Sequence, residues 1–257
     1  MSGYIFAIGG GNNICSDIFK KIFEKSKNKN ILIISDASTN LLTSQITKTK
    51  QRFNQFGKNG VNIKNIKLKN STSSKIIKDD LHKYGIIYFT GGHQIDLLKS
   101  INNFNKNFKC NIRDILIKYL KNGGVISGTS AGASILGKLM PTGKILKKRD
   151  NQYVLKPLNM KLVNKIYIVE KSLNLLPYII DQHFTEKKRH ERGKAMAIDN
   201  KMKLIGIDEN TAVSFKYRSP KITLIGEGKA TLYNGSSIKY SYGSKYISIT
   251  GFKTKIY

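Results

Sequence analysis

The pentapeptide Gly128-Thr129-Ser130-Ala131-Gly132 matches the pattern G-x-S-x-G. That pattern sets a serine at the apex of a sharp strand-to-helix turn, with its hydroxyl exposed. Backbone at such an apex is strained, so its neighbours must be small. Gly128, Ala131, Gly132 and Ala133 meet that demand. Val125 and Ile126 give a short buried strand before the serine. An amphipathic run, Ile112 to Leu120, precedes that strand, and an apolar run, Ala133 to Met140, reads as a helix after the serine. Such a helix would aim its free N–H groups and positive dipole end at the serine oxygen. The N–H of Ala131 would then hold the oxyanion of a tetrahedral intermediate. A Gly/Ala-rich turn that merely contains a serine has the same residues, so the pattern takes its meaning from its surroundings.

A hydrolytic serine needs a base, and the base needs a third group to orient it. The chain has four histidines. His82 lies beside Lys83 in a polar helix and reads as solvated, and His190 sits in a charged helix. His93 follows Gly91-Gly92 and is expected near a pocket. His183 ends the apolar run Tyr178-Ile179-Ile180 and is expected at the same sheet edge as Ser130, which makes it the favoured base. Asp150, Asp181, Asp208 and Glu209 all stand as orienting acids, because spacing alone does not choose among them. Gly91-Gly92 forms a second strand-to-helix junction, and the N–H of Gly92 is the expected second oxyanion donor. Arg189 and Arg192 lie three apart in a stretch, from Thr185, that reads as one helix. An arginine pair beside a nucleophile suits bidentate grip on carboxylates. A solvated helix with Glu186–Arg189 pairing has the same spacing.

The elements that must position these groups alternate strand and helix. Tyr4 to Ile8 reads as a strand ending in Gly9-Gly10-Gly11. The dinucleotide spacing G-x-G-x-x-G fails there because position 14 is Ile, so this is read as a tight turn at the top of a sheet. Helices are expected over Cys15–Lys25, 41–58, from Ser71 to about His82, and after His93. Apolar strands are expected at Ile31–Ile34, Gly85–Phe89, Tyr167–Val169 and Lys203–Ile207, and a lysine-rich strand near an edge at Val61–Leu68. Ser35-Asp36-Ala37-Ser38 sits where parallel sheets place ligand loops. Lys144 to Met160 reads as polar and irregular. The tail from Ala212 alternates apolar and polar residues, with turns at Asn234-Gly235 and Tyr242-Gly243, and reads as antiparallel strands. The expectation is one α/β domain over 1–257, a mostly parallel sheet flanked by helices, with a β-rich part at about 212–257.

The net charge of +29 raises a nucleic-acid reading. Its make-up opposes one, since only six of the 45 basic residues are arginine and the lysines are spread along the chain. No specific nucleic-acid partner is expected. A non-catalytic polyanion-binding protein remains the reading from another class. No apolar run approaches the length of a membrane span. The first residues lack the basic start of a signal peptide, and two cysteines, Cys15 and Cys110, make no disulfide framework. A cytoplasmic location is expected, as is a homodimer, for which the β-rich tail offers a surface.

Four stretches come in the order and spacing of a known family: Phe89 to Gln94, Ser127 to Ala133, Ile180 to Arg192, and Gly206 to Ala212. With them the chain resembles the cyanophycinase and dipeptidase E family of serine peptidases, which cleave aspartyl bonds. The Asp181-Gln182-His183-Phe184 motif is similar to the cyanophycinase branch. The resemblance implies a fold like class I glutamine amidotransferases, which is flavodoxin-like, with serine in place of the nucleophilic cysteine. It implies Ser130 as nucleophile, His183 as base, Glu209 as orienting acid, Gly92 and Ala131 as oxyanion donors, and no metal or other cofactor. It implies that Gln94, Asp181, Gln182, Lys187, Arg189 and Arg192 bind the β-aspartyl-arginine unit of cyanophycin, with an acid for its guanidinium. Short α- or β-aspartyl peptides are the alternative substrates. Two departures bear on specificity. His93 stands where the family often has aspartate, and Lys187 where cyanophycinases tend to have arginine. Lysine keeps the charge and loses the two-pronged fork.

Overall fold

The computed structural model describes residues 2–37, 42–57, 60–149, 152–157, 165–235, 237–242 and 247–249. The first half alternates as expected: β1 (Tyr4–Ile8), α1 (Ser16–Lys25), β2 (Asn30–Ile34), α2 (Leu42–Gly57), β3 (Asn62–Ile66), α3 (Ser71–Lys75), β4 (Ile86–Phe89), α4 (Gln94–Asn107), α5 (Ile112–Lys121) and β5 (Val125–Thr129). The middle runs through α6 (Ala131–Ser134), β6 (Gly137–Arg149), β7 (Gln152–Pro157), β8 (Lys165–Lys171), β9 (Leu176–Gln182), α7 (His190–Asp199) and β10 (Leu204–Ile207). The tail adds β11 (Thr211–Lys216), β12 (Ile222–Gly226), β13 (Lys229–Asn234), β14 (Ser237–Tyr242) and β15 (Ile247–Ile249).

These strands make two sheets rather than one. The first has the order β15-β12-β11-β1-β5-β4-β2-β3, with β1, β5, β4, β2 and β3 parallel and β11, β12 and β15 antiparallel. The lysine-bearing β3 is its edge, as expected. The second sheet has the order β14-β13-β10-β9-β6-β7, with β8 paired to β6. The β-rich tail is therefore not a separate layer. It extends both sheets, and the link from β10 to β11 crosses between them.

Alternation along β1 builds two cores. Phe6 and Ile8 point to one side, where they meet Ile18, Phe19 and Ile22 of α1 and Phe53 of α2. Ile5 and Ala7 point to the other, where they meet Leu97 and Ile101 of α4, Leu116 of α5, and Ile180, Ile205 and Ile207 of the second sheet. The outward side of β9 and β10, with Ile179 and Leu204, packs on Met196 and Ala197 of α7. The helix pair α1/α2, the first sheet, the second sheet and α7 thus follow one another as layers.

Three local expectations need correction. Residues 144–149 and 152–157 are not irregular; they form the β6–β7 hairpin, with Leu146 opposite Leu155. Pairing of β6 with β7, β8 and β9 overrides the weak local propensity of a lysine-rich segment. The apolar run after Ser130 is helical only over Ala131–Ser134, because Gly137 is already paired with Leu176 of β9. The segment 185–189 is a series of turns, and α7 starts only at His190. Asp150, Ser38 and Gly243 lie outside the described residues. Among the described residues no helix is long and apolar enough to cross a membrane.

The placement of α2 depends on one ring. Phe53 is fully buried and meets Phe19, Phe23 and Tyr88 edge-on, at centroid distances of 5.2, 5.8 and 5.1 Å. Phe53→Ala should cost about 3–5 kcal/mol in urea unfolding; a loss below about 1 kcal/mol would show that this cluster does not anchor α2.

Candidate active site

Ser130 sits between β5 and α6 with φ +51° and ψ −115°, a strained conformation for a residue with a side chain. Gly132 makes the bend feasible, since a Cβ there would run into the carbonyl of Phe89. The helix behind the serine is a single turn, so its dipole is small. What it offers is local: among the described residues, the N–H of Ala131 has no backbone acceptor, and neither has that of Gly92. Gly92 follows β4 at φ +139° and lines the same cleft as Ser130.

His183 is not at the same sheet edge as Ser130. It follows β9 of the second sheet, whereas Ser130 follows β5 of the first. The two meet at the end of β1. Ser130 donates its backbone N–H to the carbonyl of Ile8 at 2.9 Å, His183 to that of Gly9 at 2.9 Å, and Asn210 to that of Gly10 at 3.0 Å. Gly10, at φ +106°, lies under the imidazole so closely that a Cβ would strike the ring. The glycine turn read as a simple sheet-top turn is thus the seat of the site. Its signal in the sequence was three consecutive glycines after the first strand.

The side chains then fall into line. The Ser130 hydroxyl lies 2.8 Å from His183 Nε2, and His183 Nδ1 lies 2.5 Å from Glu209 Oε1. These bonds assign Nδ1–H as the donor to Glu209 and Nε2 as the acceptor of the serine proton. Glu209 is the carboxylate that meets the histidine. Asp208 is engaged elsewhere, accepting from the N–H groups of Thr185 at 3.0 Å and Lys229 at 3.2 Å. Burial holds the His183 imidazole below its ordinary value; the hydrogen bond it donates to Glu209 opposes that, and the positive charges of Lys187 and Arg189 reinforce it. The ring is therefore neutral and able to accept a proton at neutral pH.

The residues expected to bind substrate have a different geometry. Asp181 is fully buried and accepts from Arg192 Nε at 2.7 Å, from Arg192 Nη2, and from Arg189 Nη1 at 3.0 Å. Arg189 Nη1 also donates to the backbone carbonyl of Gln182 at 2.6 Å and to its side-chain oxygen at 3.1 Å. Burial alone would raise the Asp181 carboxyl, but Arg192 and Arg189 outweigh it and hold the carboxyl below the usual range. The two arginines are thus turned inward onto Asp181, not outward from one helix face onto a carboxylate. Gln94 donates to the carbonyl of Pro141 at 2.8 Å and ties α4 to β6. Lys187 is exposed, and His93 is exposed and outside the cleft lining.

The cleft around Ser130 has a volume of about 330 Å³. Besides Ser130, His183, Glu209 and Gly92, it is lined by Thr90 of the stretch Phe89 to Gln94, and by Asn12, Lys48, Thr49 and Arg52, none of which was singled out as a site residue from the sequence. Lys48 and Arg52 lie four apart in α2, which read only as a polar helix. Among the described residues no group of three or more His, Cys, Asp or Glu side chains converges as a metal site.

Solved relatives place the fold. The structure superposes on a peptidase from an acI-B1 Actinobacterium with a TM-score of 0.66, covering 97% of this chain and 98% of that one at 20% identity. The architecture is therefore that of an α/β peptidase fold. The chain belongs to peptidase family S51, whose model matches residues 5–223. Among curated relatives it is 26% identical over 192 residues to the cyanophycinase of Nostoc sp. (strain PCC 7120), and 25% identical over 192 residues to that of Trichormus variabilis. In both cases the match covers 74% of this chain and 58% of the relative's length.

Two predictions follow from the charges. Lys187→Gln removes a cation that disfavours imidazolium, so the acid limb of any His183-dependent rate should move to higher pH; an unmoved limb would show that Lys187 exerts no field there. Asp181→Ala leaves two buried guanidinium groups facing each other without an anion. It should cost about 3–5 kcal/mol in denaturant unfolding. The Asp181 stabilisation is present above the unfolded carboxylate value and is lost as pH falls through its lower folded value, so wild type should lose its margin over Asp181→Ala only in acid.

Proposed function

We propose that this protein is a serine peptidase that hydrolyses the aspartyl bonds of cyanophycin and releases β-Asp-Arg dipeptides. The observation that carries the reading is the continuous chain from Ser130 through His183 to Glu209. Ser130 Oγ attacks the carbonyl carbon while His183 Nε2 takes its proton. The oxyanion is held by the N–H groups of Gly92 and Ala131. His183 then protonates the leaving amine, an acyl-enzyme remains, and water, deprotonated by the same histidine, releases it. Glu209 keeps the imidazole in the working tautomer and stabilises the imidazolium. Support for the substrate comes from the names of the two curated relatives.

A second reading, hydrolysis of short aspartyl peptides without arginine, has a specific observation in its favour. A carboxylate is the strongest partner for an arginyl side chain, and Asp181 is sealed beneath Arg189 and Arg192. Among the described residues lining the cleft the one acid is Glu209, already bound to His183.

Purified protein and its Ser130→Ala variant would each be mixed with insoluble cyanophycin, and soluble products weighed by mass spectrometry. Clearing by wild type alone, with β-Asp-Arg as product, is the expected result. Glu209→Gln should lower kcat by roughly 10³–10⁴ in the same assay. Clearing that survives Ser130→Ala would sink the assignment. Clearing by neither, with cleavage of a short β-aspartyl peptide, would select the second reading.

A further inference from the structure

The arginines that seemed made for carboxylates are spent on Asp181, yet the cleft is not without free cations. Lys48 and Arg52 both line it, from one stripe of α2. Their direction is fixed by the neighbouring stripe, where Thr49 and Phe53 are buried against the sheet. Arg52 is held further by a bond from Nη2 to the carbonyl of Asn12 in the turn after β1. A guanidinium has five N–H donors, so this bond orients the group without exhausting it. Beside them Thr90 lines the cleft too. Its hydroxyl is buried and has no partner within the described structure. A buried hydroxyl without a partner is costly and calls for an acceptor from outside. Glu209, the one acid among the described lining residues, is tied to His183.

We propose that Lys48, Arg52 and the hydroxyl of Thr90 form a subsite for a free carboxylate of the substrate, adjoining the scissile carbonyl. The placement next to the scissile bond rests on reading the cleft as a peptidase site; the anion selectivity does not. A carboxylate satisfies each element at once. It sets one negative charge beside two cations that line the cleft, and it accepts from an arginine fork and a hydroxyl. A guanidinium would be repelled by both cations, and an uncharged amide would accept the same bonds without answering the charge. Two carboxylates of an aspartyl peptide could fill the subsite, the one on the aspartyl residue and the one at the C-terminus.

Calorimetry on the Ser130→Ala variant tests this without requiring turnover. The probes are β-aspartyl-alanine, the same dipeptide with the aspartyl α-carboxylate as its amide, and the same with the C-terminal carboxylate as its amide. One of the two amidations should weaken binding by about tenfold or more, as expected for a lost charge-assisted hydrogen bond, and it names the carboxylate received. Adding Lys48→Gln and Arg52→Gln should remove that difference, and raised salt should narrow it. Lys48 is exposed, so Lys48→Gln alone gives a version that folds even if the Arg52 change disturbs the Asn12 turn. Equal binding of β-aspartyl-alanine with and without the two cations, or no binding in their presence, overturns the subsite. Carboxylate-selective binding that depends on Lys48 and Arg52, joined to a failure of the wild-type protein to hydrolyse either these probes or cyanophycin, keeps the subsite and rejects the peptidase reading.

Discussion

Three consecutive carbonyl groups at the end of β1 hold the site together. Ile8, Gly9 and Gly10 accept from the backbone N–H groups of Ser130, His183 and Asn210. Two of these partners come from different sheets, and the third adjoins Glu209 on the link between the sheets. Ser130, His183 and the segment carrying Glu209 are thus referenced to one short rail of backbone, not to one another's flexible side chains. Such a rail works only if side chains stay out of it. A Cβ at Gly10 would displace the imidazole. The cost of the arrangement is visible in the backbone, with Ser130, His183 and Asn210 all at positive φ. The packing of the two sheets over-determines that strain.

A second layer keeps the rail's partners in register. Asp181 lies on β9 two residues before His183, and its carboxylate gathers Arg189 and Arg192 from the turns and helix that follow. The segment leaving His183 is thereby folded back onto the strand that delivers it. Phe184 packs against Gly206 of β10 and against Tyr233, which joins the neighbouring strands. Asp208 closes the same region by accepting from Thr185 and Lys229. These residues act on the chemistry through geometry and field. None of them lines the cleft.

Most of the fold was legible because the signals were local and strong. Continuous apolar runs marked the parallel strands, and the small residues around Ser130 marked the elbow. The triad was legible as a set of residue types at strand ends, with the acid left open among several. What the sequence could not carry was anything decided by distant pairing. The β6–β7 hairpin is held by pairing of β6 with two further strands, β8 and β9, so its lysines hid it. The split into two sheets puts Ser130 and His183 on different sheets although both follow apolar strands, a distinction local pattern does not encode. Arg189 and Arg192 look alike on a sheet of paper whether they face a ligand or a buried aspartate. Only burial separates the cases. Lys48 and Arg52 were hidden for the opposite reason, being two cations among 45 basic residues.

That abundance of charge bears on the chemistry less through its total than through its placement. Screening confines a surface charge to about 8 Å at physiological salt, so most of the lysines exert no selective field at Ser130. The few that do all push in one direction. Lys187 and Arg189 disfavour the imidazolium and so keep His183 free to accept a proton. A positive surrounding also favours the oxyanion that forms when the serine attacks. The cations on α2 make the mouth of the same cleft attractive to carboxylates. A negative surrounding would fail on each count, because it would protonate the base, oppose the oxyanion and repel an acidic substrate. Glu209 is the necessary exception, and its charge is compensated at once by the imidazole N–H. A neutral imidazole at His183 and an oxyanion at Ser130 would therefore be favoured by the same sign of local charge, which is the sign Lys48 and Arg52 give the cleft.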